Sequence, residues 1–138
     1  MEERRRHQRY TLPRGTFLIM RQKLDALKNH KRMSIGEISM VLYKSKSEMM
    51  AQVTNLGQGG VAFDGTVDDQ VDFDRLEMDL LMAEKGLYIH NIPYSPLRAD
   101  SIDKKKSGPI RENAFCFKEL ETEHQRQLNE MLSHGLIA

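Results

Sequence analysis

Asn55-Leu56-Gly57-Gln58-Gly59-Gly60 is a glycine-rich turn, and the segments on both sides of it are predicted to be β-strands. Residues 48–54 lead into the turn and residues 61–63 lead out of it. Gly59 and Gly60 let the backbone bend sharply and come close to another group. Asn55 places a side-chain amide at the end of the first strand. The stretch therefore predicts a β-hairpin whose turn suits contact with a flat ligand.

Short predicted strands, separated by turn signals, continue on both sides of this hairpin. They are expected at residues 15–20, 38–43, 48–54, 61–63, 76–80, 87–92, 94–102 and 113–117. A short surface helix is predicted over 21–33, and polar loops are predicted over 44–47, 64–75 and 104–109. Many short strands joined by turns indicate a mainly β fold, here an antiparallel barrel.

The chain ends in a predicted helix. Thr122 and Gln125 match a capping box, and Gly135 is placed to end the helix. Three apolar residues form one stripe along it: Leu128, Met131 and Leu132. Such an amphipathic helix is expected to pack over the mouth of the barrel.

Length and composition favour a single domain over residues 1–138. The chain has a net charge of +1 and one cysteine, and it is long enough to bury a core without disulfides. We expect an arm at 1–13, a barrel at 14–119 and a helix at 120–135. No apolar run approaches the ~20 residues that cross a bilayer, and no signal-peptide pattern is present. The expectation is a cytoplasmic protein without membrane insertion.

The N-terminal third is basic although the whole chain is nearly neutral. Residues 1–35 contain ten Lys and Arg against three acidic residues, which favours an anionic partner. Four of the arginines lie in Arg4-Arg5-Arg6-His7-Gln8-Arg9. Arginine donates charge-assisted hydrogen bonds to anionic groups such as phosphates. The small net charge argues against binding to long nucleic acid.

In this order, the arginine arm and the glycine turn resemble the PilZ domain, a small β-barrel that binds the bacterial messenger cyclic di-GMP. Arg5 and Arg9 match the family's arginine pair, and Asn55 and Gly60 match the first and last positions of its turn. The continuation from Gly59 to Phe63 and the segment from Phe115 to Leu120 also resemble the family, so the resemblance spans essentially the whole chain.

One position departs from the family pattern, because Gly57 stands where the family has serine. The glycine removes a hydroxyl and keeps the backbone groups. Since a neutral hydrogen bond contributes about 0.5–1.5 kcal/mol net, the loss is expected to weaken a nucleotide site without abolishing it. A serine restored at this position is expected to be neutral or to tighten binding, provided that the backbone accepts a side chain.

The resemblance implies a non-enzymatic sensor with no cofactor and no metal. The residues that would bind cyclic di-GMP are Arg4, Arg5, Arg9, Asn55, Gly57 and Gly60. The arm is expected to become ordered on the nucleotide and to signal to an effector protein.

Two other functions stay open at this stage. Gly57 favours a PilZ-like interaction module that no longer binds nucleotide. The basic arm is compatible with a small nucleic-acid-binding barrel, but stacking platforms need interleaved aromatic residues, and only Tyr10 lies near the arginines.

No catalytic or metal-binding set emerges from the remaining residues. The histidines lack metal-ligand spacing and are expected at surface or packing positions. They are His7, His30, His90, His124 and His134. Cys116 lies in an apolar strand and is expected in the core. Asp72-Phe73-Asp74 lacks the glycine and glutamate of a calcium loop and is expected to be a solvated turn.

Overall fold

The computed structural model describes residues 8–65, 72–98 and 112–137. Several sequence-based predictions concern residues outside these ranges. They are the placement of Arg4, Arg5, Arg6 and His7, the middle of the acidic loop, the end of the strand predicted over 94–102, and the loop at 104–109.

Within the described residues, nine strands form one antiparallel sheet. They are β1 (Tyr10–Thr11), β2 (Thr16–Arg21), β3 (Met49–Leu56), β4 (Gly60–Asp64), β5 (Glu77–Met82), β6 (Leu87–Ile89), β7 (Tyr94–Arg98), β8 (Glu112–Phe117) and β9 (Leu136–Ile137). The order along the sheet is β6-β5-β2-β3-β4-β8-β7, and β1 pairs with both β3 and β9. The predicted mainly β fold is confirmed as a curled antiparallel sheet.

The helix of the N-terminal third is α1 (Ile35–Lys44), which is not where the sequence analysis placed it. The strand predicted over 38–43 is therefore wrong. Ser34 and Glu37 form a capping box, with Glu37 N–H donating to Ser34 Oγ at 3.1 Å. The buried side chains of Ile38 and Leu42 are four residues apart, and this spacing places both on one helix face. The predicted helix over 21–33 is instead two 3₁₀ turns, Asp25–Leu27 and His30–Arg32.

The C-terminal helix, α2 (Thr122–Leu132), is confirmed together with its apolar stripe, which is buried in the main core. Its predicted capping box is wrong, because Thr122 is the first helical residue and Glu121, at the N-cap, makes no side-chain cap bond. The chain then continues into β9, which the sequence analysis did not predict. At the other end, β1 lies within the segment expected to be an arm.

Both faces of β2 and β5 are covered by apolar residues. Leu18 and Leu80 point into the main core, which α2 also joins. Ile19 and Leu81 point to the opposite face and pack with Leu42 of α1. Because successive side chains of a strand alternate between faces, one strand pair supports both cores. None of the helices in the described ranges is long and apolar enough to cross a membrane.

A buried ion pair joins β2 to β5. Arg21 is 1% exposed and Asp79 is 0% exposed. The guanidinium donates to both carboxylate oxygens of Asp79, at 2.7 and 2.8 Å, and Nη1 donates to Glu77 at 2.8 Å. Asp79 also accepts from the hydroxyl of Tyr88 at 2.7 Å and from the backbone N–H of Asn91 at 2.9 Å. These bonds satisfy charges that burial alone would penalise.

Asp79→Asn should lower the free energy of unfolding by about 3–5 kcal/mol, because the Arg21 charge would stay buried without its main partner. Urea unfolding followed by circular dichroism measures this loss. The matched control is Glu123→Gln, the same change in an exposed pair with Arg126, which should hardly alter stability. Equal effects of the two substitutions would contradict a special role of the buried Arg21–Asp79 pair in stability.

His90 should make stability depend on pH. Burial lowers its pKa although Asp79 opposes this, and its Nδ1 faces Arg21 Nη2 at 3.1 Å and the Tyr88 hydroxyl at 2.8 Å. Since an unfolded histidine takes up a proton near pH 6.5 and folded His90 does so only at lower pH, the free energy of unfolding should fall as the pH drops below about 6.5.

His90→Gln should reduce that fall, because glutamine keeps an acceptor for Arg21 and does not titrate. Urea unfolding of both proteins above and below pH 6.5 tests this, and the carboxylates that titrate in both cancel in the comparison. The same pH dependence in both proteins would show that His90 is not responsible.

Candidate ligand-binding site

The structure brings Arg9 of the basic segment to Asn55 of the turn. Arg9 Nη1 donates a hydrogen bond of 3.0 Å to Asn55 Oδ1, between partly buried side chains. The contact follows from strand pairing, since Tyr10 of β1 is opposite Leu56 of β3. Two predicted site residues that are 46 positions apart in the sequence therefore lie side by side. Arg4 and Arg5 lie outside the described residues.

The register of β3 against β4 shifts between Val53 and Asn55. Such an irregularity re-aims a side chain relative to a regular ladder, and bulges are common beside functional sites. Here the shifted residue is the one that accepts from Arg9. No local signal in the sequence predicted this shift, because it depends on how two strands pair.

Gly57 is buried, and the backbone of Gln8 lies directly over it. A Cβ at Gly57 would be 2.6 Å from the carbonyl oxygen of Gln8 and 3.7 Å from Cα of Arg9. The φ of Gly57 is not positive, so space and not backbone conformation excludes a side chain. Serine at this position was expected to be neutral or to tighten binding on the condition that the backbone accepts a side chain. The structure corrects this expectation, because a serine would collide with the segment that bears Arg9.

The turn is closed by backbone contacts. Gly57 N–H donates to the carbonyl of Gly60 at 3.0 Å, and Phe117 N–H of β8 donates to the carbonyl of Gly59 at 3.0 Å. A Cβ at Gly60 would lie 2.6 Å from the carbonyl oxygen of Phe115. The close approach of β8 therefore requires a glycine at position 60. This requirement is structural and does not depend on a ligand.

Gln58 is the turn residue that the sequence analysis did not single out. Its Nε2 donates to Asn129 Oδ1 at 2.7 Å and to the carbonyl of Gln125 at 3.2 Å, so that the turn is bonded to α2. A lone glutamine between glycines carries no signal that would have identified this partner.

The histidines of the described ranges and Cys116, which the sequence analysis also considered, are not part of this site. His30 and His90 stack with ring centroids 4.3 Å apart, and His124 lies within hydrogen-bonding distance of the His90 carbonyl, so these three are packing residues as predicted. Among the residues described, no group of three or more His, Cys, Asp or Glu is arranged to hold a metal ion. Cys116 is exposed, which corrects its predicted place in the core.

Gly57→Ala should destabilise the protein by about 1–3 kcal/mol, because the new methyl group overpacks against the Gln8 backbone. Hydrogen exchange at residues 8–11 should speed up, which mass spectrometry measures. The matched control is Gly36→Ala on α1, where a Cβ has its nearest neighbour 3.9 Å away, so that stability should be unchanged or higher. A Gly57→Ala protein as stable as the wild type would contradict the close approach.

Comparison with known proteins identifies the fold. No protein-family model matches the chain, and no curated protein matches it. Its structure is similar to a solved structure, the PilZ domain with c-di-GMP of YcgR from Escherichia coli. The sequences are 15% identical, the match covers 95% of this chain and 90% of that chain, and the TM-score is 0.51. At this identity the likeness concerns the fold, which is PilZ-like as the sequence predicted.

Proposed function

We propose that this chain, whose fold is PilZ-like, binds cyclic di-GMP between its arginine segment and the turn from Asn55 to Gly60. The observation that supports the proposal is the hydrogen bond of 3.0 Å from Arg9 to Asn55. It places a guanidinium and an amide at one point of the surface, next to a turn whose backbone is closely packed. The solved PilZ domain with a similar fold contains c-di-GMP.

The chemistry of the ligand fits these groups. A guanine base presents two acceptors to an arginine fork, and the two phosphates need charge-assisted donors. Arg4, Arg5 and Arg9 are proposed to supply these donors. Asn55 is proposed to contact a base edge, and the backbone at Gly57 and Gly60 to lie against the ligand.

The hydrogen bond from Arg9 to Asn55 holds these two side chains of the proposed site together. Because Tyr10–Thr11 is a strand paired on both sides and Gln8 and Arg9 contact the turn, we propose that any ordering on the nucleotide concerns the residues before Gln8. The protein would then act as a non-enzymatic cytoplasmic sensor that signals to an effector protein.

Isothermal titration calorimetry with cyclic di-GMP tests the proposal. We expect micromolar or tighter binding, and much weaker binding of GTP and cyclic AMP.

Arg9→Ala should weaken binding by about 1.5–3 kcal/mol, since a charged hydrogen bond is lost, and Arg5→Ala should have a similar effect. The control is Arg14→Ala, which removes the same charge from an exposed position between β1 and β2. No heat with the wild-type protein would refute nucleotide binding.

The second candidate function is a PilZ-fold interaction module. It is favoured by the tight contact of Gln8 with Gly57, which leaves no room for the family's serine. If the wild-type protein shows no heat and no shift in melting temperature at high nucleotide concentration, this second function replaces the first.

A further inference from the structure

The C-terminal segment touches both halves of the candidate site. From the side of the turn, Gln58 donates to Asn129 Oδ1 at 2.7 Å and to the Gln125 carbonyl at 3.2 Å. Gln58 lies between Gly57 and Gly59, so bonding of its amide at two points orients the backbone on which Gln8 rests.

From the side of the arm, β9 pairs antiparallel with β1. Tyr10 is opposite Ile137 and Thr11 is opposite Leu136, and Thr11 Oγ1 donates to the Leu136 carbonyl at 3.2 Å. The backbone of Gly135 also lies against β1, because a Cβ at Gly135 would be only 2.7 Å from the carbonyl oxygen of Thr11. The strand that follows Arg9 is therefore enclosed between β3 and β9.

The two contacts belong to one short and well-anchored piece of chain. The stripe of α2 that joins the main core ends with Met131 and Leu132, which are 0% and 7% exposed. The backbone then turns tightly, with His134 N–H donating to the Met131 carbonyl at 3.1 Å and Gly135 N–H donating to the Leu132 carbonyl at 2.9 Å. A movement of this piece would shift the turn and the arm together.

From these contacts we infer that residues 125–137 act as a C-terminal clamp that sets the position of Arg9 relative to the turn. Gln58 and Asn129 are its positioning residues, and they act on the ligand through the backbone without touching it. The clamp thereby sets the affinity of the site for its nucleotide, and in this respect the inference rests on the proposed function.

Asn129→Ala tests the clamp in the absence of ligand. Hydrogen exchange should speed up at residues 57–60 and 9–11, while exchange in β5 and the melting temperature change little. Asn129→Asp, which keeps an acceptor oxygen for Gln58, should restore the wild-type rates. The control on the same helix is Glu130→Ala, whose exposed side chain faces Arg126 at 3.9 Å. Unchanged exchange at the turn, or equally faster exchange everywhere, would overturn the clamp.

Binding supplies the second readout. Asn129→Ala and Gln58→Ala should each weaken cyclic di-GMP binding by about two- to tenfold. The double variant should bind no more weakly than Gln58→Ala, because Gln58→Ala already removes the contact that Asn129→Ala removes. Gly135→Ala should speed exchange at residues 10 and 11.

If Arg9→Ala weakens binding and Asn129→Ala changes neither affinity nor exchange, the clamp fails and the proposed function stands. If the wild-type protein does not bind, the proposed function fails and the exchange rates alone decide whether the clamp exists.

Discussion

The candidate site depends on backbone segments that lie closer together than side chains allow. At Gly57 a Cβ would be 2.6 Å from the Gln8 carbonyl oxygen, and at Gly135 it would be 2.7 Å from that of Thr11. Interiors packed to this density cannot absorb an added methyl group without moving the backbone. The strand Tyr10–Thr11 is enclosed on both sides in this way, and its position brings Arg9 to Asn55. A larger residue at either glycine would move the strand, and the guanidinium with it.

A different interaction fixes the part of the sheet formed by β2 and β5. There the buried pair of Arg21 and Asp79 joins two long strands, and apolar cores cover both of their faces. The candidate site is built instead from the two-residue strands β1 and β9 and from the neutral hydrogen bonds of Gln58. The loss of one such neutral hydrogen bond costs less free energy of unfolding than the loss of one partner of a buried ion pair. This difference fits the proposed sensor function, because elements that respond to ligands are drawn from the less stable parts of a fold.

The secondary structure was predictable where one local pattern had one interpretation. The strands around the turn and the stripe of α2 follow from apolar alternation and helical spacing, and the structure confirms them. Residues 38–43 were misassigned because Ile38, Met40 and Leu42 alternate as in a strand while Ile38 and Leu42 also satisfy helical spacing. The discriminating local signal was the capping box of Ser34 and Glu37, which the alternation obscured. The strand β9 was missed because two residues are too few to form a pattern.

The sequence by itself determined the mainly β, PilZ-like class, the hairpin around the glycine turn and the chemical character of the arginine segment, because each of these is encoded in neighbouring residues. Only the tertiary structure decided which distant groups meet. Three contacts of this kind join residues 46, 58 and 71 positions apart: Arg9 with Asn55, Arg21 with Asp79, and Gln58 with Asn129. Likewise, only the fold shows that Gly57 is required by the Gln8 backbone and is more than a missing hydroxyl. The reason is that strand pairing and packing set these distances, and no local pattern specifies the partner of a buried charge or the backbone that passes over a glycine.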